Sequence, residues 1–157
     1  MLLRPMTFAL MLFAISAASQ AQTCANPIKI NVSQGPYYAN TNTCISDDNL
    51  PFMAQATYAT PGRDVVYWVV SSAGNLPVPR MQFTVIPNSN YDPAMFACSQ
   101  CGPLAACLDA VDSVGKGGAE TFMIEKQPHS YYLTVDSIDM PPNEGCQPFS
   151  MNAARAK

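Results

Sequence analysis

The chain has 157 residues and a formal net charge of −3, with 12% charged and 48% hydrophobic residues. Its few Lys and Arg residues are scattered along the sequence, so binding to nucleic acid or anionic lipid is disfavoured, because both need clustered positive charge. The length predicts one domain that is large enough to bury a hydrophobic core.

The N-terminus has the pattern of a secretory signal peptide. One Arg in "MLLRPM" precedes the apolar run "TFALMLFAISA", and the small residues Ser19 and Ala21 follow at the spacing of a cleavage site. We predict a signal peptide at residues 1–21 and a single β-sandwich domain at residues 22–157. The apolar run is short for a membrane span, and no later segment has the length and hydrophobicity of one. The predicted location is therefore secreted or periplasmic, with no membrane span.

The rest of the sequence predicts an all-β fold. Several runs place apolar residues at every second position or are rich in β-branched and aromatic residues, which is the strand pattern. In chain order they are "IKINV" (28–32), "DVVYWVV" (64–70), "RMQFTVI" (80–86), "AMFA" within 92–98, "ETFMIE" (120–125), "YYLTVDS" (131–137) and "PFSMNA" (148–153). Gly and Pro punctuate the segments between them, and 14 prolines disfavour long helices. Short strands with frequent turns indicate a β-sandwich or jelly roll.

Three segments do not fit the strand pattern. Residues 31–52 are polar and predict a long loop or an irregular edge. Residues 102–112 are the one place where apolar residues have helical spacing, so a short helical turn is an alternative there. The last residues, "NAARAK", are expected to fray.

Six cysteines follow the predicted signal peptide: Cys24, Cys44, Cys98, Cys101, Cys107 and Cys146. In an exported protein an even number of cysteines predicts disulfide bonds. The spacing alone leaves all pairings open. A zinc site is the alternative, with three of the cysteines and either Cys146 or His129 as ligands, but an oxidising compartment favours disulfides.

The order of four segments resembles the bacterial pre-peptidase C-terminal domain family. These segments are "GRDVVYWVV", "FTVIPNSNYDPAMFAC", "CGPLAACLDAVD" and "GGAETFMIEKQPHSYYLTVDS", and the resemblance covers about residues 60–150. It implies a non-catalytic β-sandwich of jelly-roll type that accompanies secreted proteins. The chain departs from the family where an acidic pair usually follows the loop cysteine, because Asp109 and Asp112 are separated here.

The resemblance also implies a disulfide pairing. "CGPLAAC" matches the family's short clasp, which would join Cys101 to Cys107. The N-terminal loop of the family would correspond to a bond between Cys24 and Cys44. Cys98 and Cys146 would then form the third bridge.

Asp92, Asp109 and Asp112 are candidate ligands for calcium, which is bound by six to eight oxygens. In a calcium site, one end of the sandwich would bring these three residues together. The alternative is that Asp92 and Asp109 accept backbone N–H hydrogen bonds at strand ends and turns. We expect no cofactor, with calcium as the candidate metal for these carboxylates.

No motif for catalysis is present in the sequence. His129 is the only histidine, and there is no G-x-S-x-G elbow and no glycine-rich phosphate loop in a strand–loop–helix context. We therefore predict a binding or accessory protein and not an enzyme. A secreted hydrolase or protease inhibitor of unrecognised type is the alternative.

Two neighbouring tyrosines are the candidate binding residues. Tyr37 and Tyr38 follow a Gly-Pro pair, and exposed rings at such a turn can stack on a sugar or contact a peptide. The predicted partner is an extracellular protein or a carbohydrate. Farther along the chain, Tyr67 and Trp68 lie on opposite faces of one strand, and flanking valines indicate that Trp68 faces the core.

Overall fold

A computed structural model describes residues 23–46, 50, 60, 62–71, 80–125, 129–138 and 148–156. These residues form nine strands and one short 3₁₀ helix. The predicted signal peptide, residues 1–21, lies outside them. The strands are β1 (Ile28–Asn31), β2 (Tyr37–Asn42), β3 (Val65–Val70), β4 (Met81–Pro87), β5 (Pro93–Cys98), β6 (Cys107–Val111), β7 (Glu120–Ile124), β8 (Ser130–Ser137) and β9 (Pro148–Arg155), and the 3₁₀ helix is Thr43–Ile45.

The prediction of an all-β fold is confirmed, and each of the seven predicted strands is present. Two local predictions were wrong, and one alternative is excluded. Residues 31–52 contain β2, which pairs with β9 along its whole length. The segment with helical spacing forms β6, because it pairs with β5 in an antiparallel ladder. The C-terminal segment does not fray before Arg155, whose side chain donates a 2.7 Å hydrogen bond to the Ser33 carbonyl.

The strands form two sheets. The five-stranded sheet has the order β1-β3-β8-β5-β6, and the four-stranded sheet has the order β2-β9-β4-β7. Every neighbouring pair is antiparallel except β1 and β3, which run parallel. Apart from the β5–β6 hairpin, consecutive strands lie in different sheets, so most of the ladders depend on contacts between distant parts of the sequence.

The main hydrophobic core lies between the two sheets. Side chains alternate along each strand, so every second residue faces inward. The inward residues include Val65, Tyr67 and Val69 of β3; Tyr131, Leu133 and Val135 of β8; Met81, Phe83 and Val85 of β4; and Phe149, Met151 and Ala153 of β9. Phe83 is at the centre of an aromatic group, with its ring centroid 5.6 Å from that of Phe122 and 6.1 Å from that of Tyr131.

The prediction that Trp68 faces the core was wrong. Tyr67 is fully buried between the sheets, whereas Trp68 is half-buried on the opposite face of β3. There it packs edge-on against Tyr132 of the neighbouring strand, with ring centroids 4.6 Å apart. The flanking valines did not distinguish the two faces, because β3 is apolar on both sides.

A second hydrophobic cluster covers the outer face of the five-stranded sheet. It contains Val66, Ala94, Phe96 and Cys98 from the strands, together with Leu50 and Ala105 from outside them. One face of this sheet packs against the other sheet and the other face is covered by chain segments. This explains why β5 is buried along its whole length.

The disulfide bonds differ from the pairing that the family resemblance implied. Cys98 is bonded to Cys107, and Cys24 is bonded to Cys101. The expected Cys101–Cys107 clasp and Cys24–Cys44 bridge are therefore wrong. Cys98 ends β5 and Cys107 begins β6, and the two residues are partners in the antiparallel register, so they are the pair that the hairpin brings together.

The expected bond between Cys98 and Cys146 is excluded in the same way. Cys44 is also disulfide-bonded, and Cys146 lies outside the described residues. No described cysteine is free. The prediction that these cysteines form disulfides is thus confirmed for the described ones, and the zinc alternative for Cys98, Cys101 and Cys107 is ruled out because a disulfide has no thiolate to offer.

Residues 99–106 form a loop that is restrained by two disulfide bonds, and we call it the stapled loop. The Cys98–Cys107 bond closes its base, and Cys101 within it is tied to Cys24 near the start of the described chain, with Cα atoms 5.5 Å apart. Hydrogen bonds from Ser99 to the Ala106 carbonyl add to the base. Leu104 near the tip is 84% exposed.

Candidate functional site

The outer face of the four-stranded sheet is open to solvent and is lined by polar residues. Because Phe149, Met151 and Ala153 point inward, Ser150 and Asn152 of β9 point outward. The register places Tyr38 and Thr84 on either side of Asn152. It also places Asn40 and Ile86 on either side of Ser150. Two rows of side chains therefore cross the sheet, and we call this surface the amide face.

A groove of about 410 Å³ lies on the amide face. This volume is in the range of small-molecule sites, about 300–1,000 Å³. The groove runs across the edge strand β2, the central strand β9 and the neighbouring strand β4. It is lined by Tyr38, Ala39, Asn40, Ile86, Ser150, Met151 and Asn152.

The hydroxyl and amide groups of the groove are partly connected to one another. The Ser150 hydroxyl donates a 2.7 Å hydrogen bond to Asn40 Oδ1 and lies 3.4 Å from Asn88 Oδ1. Thr84 and Thr121 share a 3.0 Å hydrogen bond on the next row. These bonds fix the orientation of the carbonyl side of Asn40 and leave its amide N–H groups directed away from Ser150.

Asn152 has hydrogen-bonding capacity that the described part of the protein does not use. Its Oδ1 atom is buried, yet it accepts no hydrogen bond from any described residue. A buried amide oxygen in native proteins is normally hydrogen-bonded, and its desolvation without a donor is unfavourable. Because this oxygen has almost no exposed surface, it lies below the surface of the groove and is not open to a bound molecule.

The two tyrosines predicted for binding differ in their surroundings. Tyr38 points outward at the rim of the groove and is 69% exposed. Tyr37 points inward against the core, with its ring edge-on to Tyr67 at 6.4 Å, and burial raises the pKa of its hydroxyl. Tyr38 is thus available to a ligand, and Tyr37 contributes to packing.

The other groove residues were missed by the sequence reasoning, although a signal existed. In "YYANTN" the polar residues Asn40 and Asn42 alternate with others from Tyr38 onward, which is the period of a strand with one solvated face. "PFSMNA" shows the same alternation with Ser150 and Asn152. The first segment was interpreted as a loop because both of its faces contain polar residues.

The three candidate calcium ligands lie near β5 and β6. Asp92 is half-buried directly before β5, Asp109 is within β6, and Asp112 directly follows β6. Asp109 Oδ1 accepts a local 2.9 Å hydrogen bond from the Ala110 N–H. Burial and the nearby Glu120 carboxylate raise the pKa of Asp112. The described residues contain no group of three or more His, Cys, Asp or Glu side chains placed to hold a metal ion, and calcium binding stays a prediction.

The Glu120 carboxylate next to Asp112 has a structural role. Glu120 is fully buried at the start of β7. Its Oε1 accepts hydrogen bonds from the backbone N–H groups of Ser113 and Val114 at 2.9 and 2.6 Å, and its Oε2 accepts one from the Ser113 hydroxyl at 3.0 Å. These bonds hold the turn after β6 against the sandwich.

A second pair of acidic residues, which the sequence did not indicate, lies on the outer face of the five-stranded sheet. Asp64 and Asp136 extend the β3–β8 register, in which Val65 is opposite Val135, and both are fully buried. Asp64 Oδ2 accepts a 2.8 Å hydrogen bond from the Leu50 N–H. Burial, followed by the charge of Asp64, raises the pKa of Asp136.

Two buried carboxyl groups in contact cannot both be ionised cheaply, so the pair retains a proton. Gly62 packs against the end of β8 next to this pair, and its N–H donates a 3.0 Å hydrogen bond to the Ser137 carbonyl. A Cβ at Gly62 would lie 2.5 Å from the same oxygen, so a larger residue is excluded. Because neither carboxyl is exposed, the pair affects stability and does not contact a ligand.

His129 lies just before β8 and is exposed. Its carbonyl oxygen accepts hydrogen bonds from both the N–H and the hydroxyl of Ser71, at 2.9 and 3.1 Å. The hydroxyl and the backbone N–H of Ser71 therefore both bind the backbone of His129.

The comparisons with known proteins assign no family. No family model matches the chain, and no curated protein matches it either. None of the described residues lies in a helix with the length and hydrophobicity of a membrane span.

Proposed function

We propose that the protein is an exported, non-catalytic β-sandwich module that binds an extracytoplasmic protein or carbohydrate on its amide face. The groove beside Tyr38 carries this proposal. It combines an exposed aromatic ring with fixed amide and hydroxyl groups on the rigid scaffold of β2, β9 and β4. Ligand sites commonly combine an apolar surface with a few precisely placed polar groups.

Export is supported by two independent features. The signal-peptide pattern of residues 1–21 would direct the chain out of the cytoplasm, and the disulfide bonds among the described cysteines are favoured by an oxidising compartment. Both features support a secreted or periplasmic location.

The strand order supports the resemblance to the pre-peptidase C-terminal domain family. The strands β2 to β9 occupy the sheets in the orders β2-β9-β4-β7 and β3-β8-β5-β6, with β1 added at an edge. Eight strands distributed in this way between two sheets suit a jelly roll. The proposal that the chain is a non-catalytic relative of that family therefore rests on the segment order and on the strand order.

The proposed binding face can be tested by obstructing the groove. Ile86 is 48% exposed on the groove wall, and Ile86→Arg would place a bulky charge there without disturbing the core. Leu104→Arg makes the same change on the stapled loop and is the matched control. The mature protein and both variants are screened by thermal shift against extracellular polysaccharides and peptides, because a ligand of the folded state raises Tm.

We expect ligands that raise the Tm of the wild type and of Leu104→Arg to leave Ile86→Arg unchanged. Chromatography of the same mixtures should show each ligand intact. A ligand that stabilises all three proteins equally would place the site elsewhere, and a product of hydrolysis would identify the protein as an enzyme.

The stapled loop supports a second candidate, a protease inhibitor. It presents Leu104 at 84% exposure on a loop that two disulfides restrain, and a restrained loop loses little entropy on binding. An inhibitor of this kind would block proteases that cleave after large apolar residues and would remain uncleaved. Rapid cleavage of the loop by such a protease, without inhibition, would eliminate this candidate.

A further inference from the structure

We propose that the groove of the amide face binds a neutral oligosaccharide. This inference rests on the proposed binding face and specifies its ligand. The first observation is Tyr38, whose ring is 69% exposed at the rim of the groove on the edge strand β2. A pyranose ring has an apolar face of C–H groups, and the flat face of a tyrosine ring provides a matching surface while its hydroxyl remains in water.

The second observation is the absence of charge among the outward-facing residues of the four strands that the structure describes. These residues are Tyr38, Asn40 and Asn42 of β2, Pro148, Ser150, Asn152 and Ala154 of β9, Gln82, Thr84 and Ile86 of β4, and Thr121 and Met123 of β7. Phosphate and carboxylate groups are recognised by Arg or Lys. A basic ligand would similarly require carboxylates. The amide face therefore suits a ligand that is polar but uncharged.

The third observation is the hydrogen-bonding character of the groove. A sugar hydroxyl both donates and accepts, and the groove presents both kinds of group. The Ser150 hydroxyl is bound to Asn40 Oδ1 at 2.7 Å, which leaves the amide N–H groups of Asn40 to donate. Because the Ser150 hydroxyl donates its proton to Asn40, its oxygen keeps lone pairs that can accept a hydrogen bond from a sugar hydroxyl.

A protein partner fits this surface less well. A stable protein interface buries about 800 Å² on each side and has aromatic or aliphatic residues at its centre. On the amide face the apolar residues Ile86 and Met123 are exposed at 48% and 39%, and amides and hydroxyls separate them on the sheet. The central row contains Asn152 and Thr84, which are polar.

The test is calorimetric titration of the mature protein with cellohexaose, chitohexaose and mannohexaose. A hyaluronan hexasaccharide is the charged comparator. We expect at least one neutral hexasaccharide to bind, and the charged one to bind at least about tenfold more weakly, because its carboxylates find no cation among the residues that line the groove. Removing the ring in Tyr38→Ala should weaken neutral binding about tenfold, and Tyr38→Phe should stay within about threefold of the wild type. Leu104→Ala, on the stapled loop, should bind like the wild type.

Three results would overturn the inference: no binding of any neutral hexasaccharide, equal binding by Tyr38→Ala, or stronger binding of the charged hexasaccharide. The experiments also distinguish failure of the oligosaccharide proposal from failure of the proposed binding face. If a peptide binds the wild type and not Ile86→Arg, this result would support the proposed binding face and refute an oligosaccharide as its ligand. A hexasaccharide that binds Ile86→Arg as well as the wild type would refute both.

Discussion

The two described disulfides should contribute unequally to stability. Cys24 and Cys101 are separated by 77 residues in the sequence, whereas Cys98 and Cys107 are separated by 9. A disulfide stabilises the fold mainly by restricting the unfolded chain, and the effect grows with the logarithm of the loop length. The loop-closure relation gives about 4.5 kcal/mol for the long loop and about 2.5 kcal/mol for the short one.

The variants are Cys24→Ala with Cys101→Ala, and Cys98→Ala with Cys107→Ala. Alanine is preferred to serine because Cys98 is 2% exposed within the second hydrophobic cluster, where a buried hydroxyl would add its own cost. We expect the long-loop variant to lose about 2 kcal/mol more of unfolding free energy than the short-loop variant.

The assay is urea denaturation followed by circular dichroism and by the fluorescence of Trp68, the only tryptophan. If the effect arises in the unfolded chain, the denaturant m value should also rise, and it should rise more for the long-loop variant, because the unfolded chain exposes more surface. Equal losses in the two variants, or a larger loss for the short loop with unchanged m values, would refute this reasoning.

Three other changes test separate parts of the structure. The raised pKa of Asp136 means that the folded state binds more protons than the unfolded state above the ordinary carboxyl pKa, so stability should fall as pH rises through that window. Asp136→Asn keeps a donor toward Asp64 and should remove this fall, and parallel stability curves for the two proteins between pH 4 and about pH 8 would contradict it. Phe83→Ala should cost about 3–5 kcal/mol of unfolding free energy, because it empties the centre of the core. Met123 is exposed, and Met123→Ala should cost less than about 0.5 kcal/mol. Similar costs for the two variants would contradict the assigned core. If the predicted calcium site exists, millimolar calcium should raise Tm and EDTA should reverse the rise, and a constant Tm would exclude it.

Strand positions were predictable wherever one or both faces of a strand are apolar. The pattern of "RMQFTVI" placed Met81, Phe83 and Val85 on one face, and all three are fully buried. The predicted bounds differ from the observed strand by a single residue at each end. Local alternation was sufficient there because burial against the opposite sheet enforces it.

Features that depend on pairing between distant segments were not predictable in the same way. β2 was missed because its strand conformation comes from the ladder with β9, more than half the chain away. The amide face could not be recognised before its rows were assembled from three strands. The Asp64–Asp136 pair arises from the β3–β8 register, in which neither residue indicates the other.

The disulfide pairing shows the same limit more sharply. Six cysteines leave the connectivity open, and the family resemblance selected a pairing that the structure contradicts. Cys98 and Cys107 are joined because β5 and β6 form a hairpin, and that hairpin lies in the segment whose apolar spacing also suited a helix. The Cys98–Cys107 bond could therefore be predicted only if residues 107–111 were assigned as a strand that pairs with β5.

The most direct test of the proposed binding face is a map of ligand contacts on the isotope-labelled mature protein. A two-dimensional amide spectrum recorded during titration with the tightest-binding hexasaccharide reports each backbone position separately. We expect the largest shift changes at residues 38–40, 86 and 150–152, which line the groove. The stapled loop, residues 99–106, should show little change. If the largest shift changes occur in the stapled loop or on the outer face of the five-stranded sheet, the proposed binding face is contradicted.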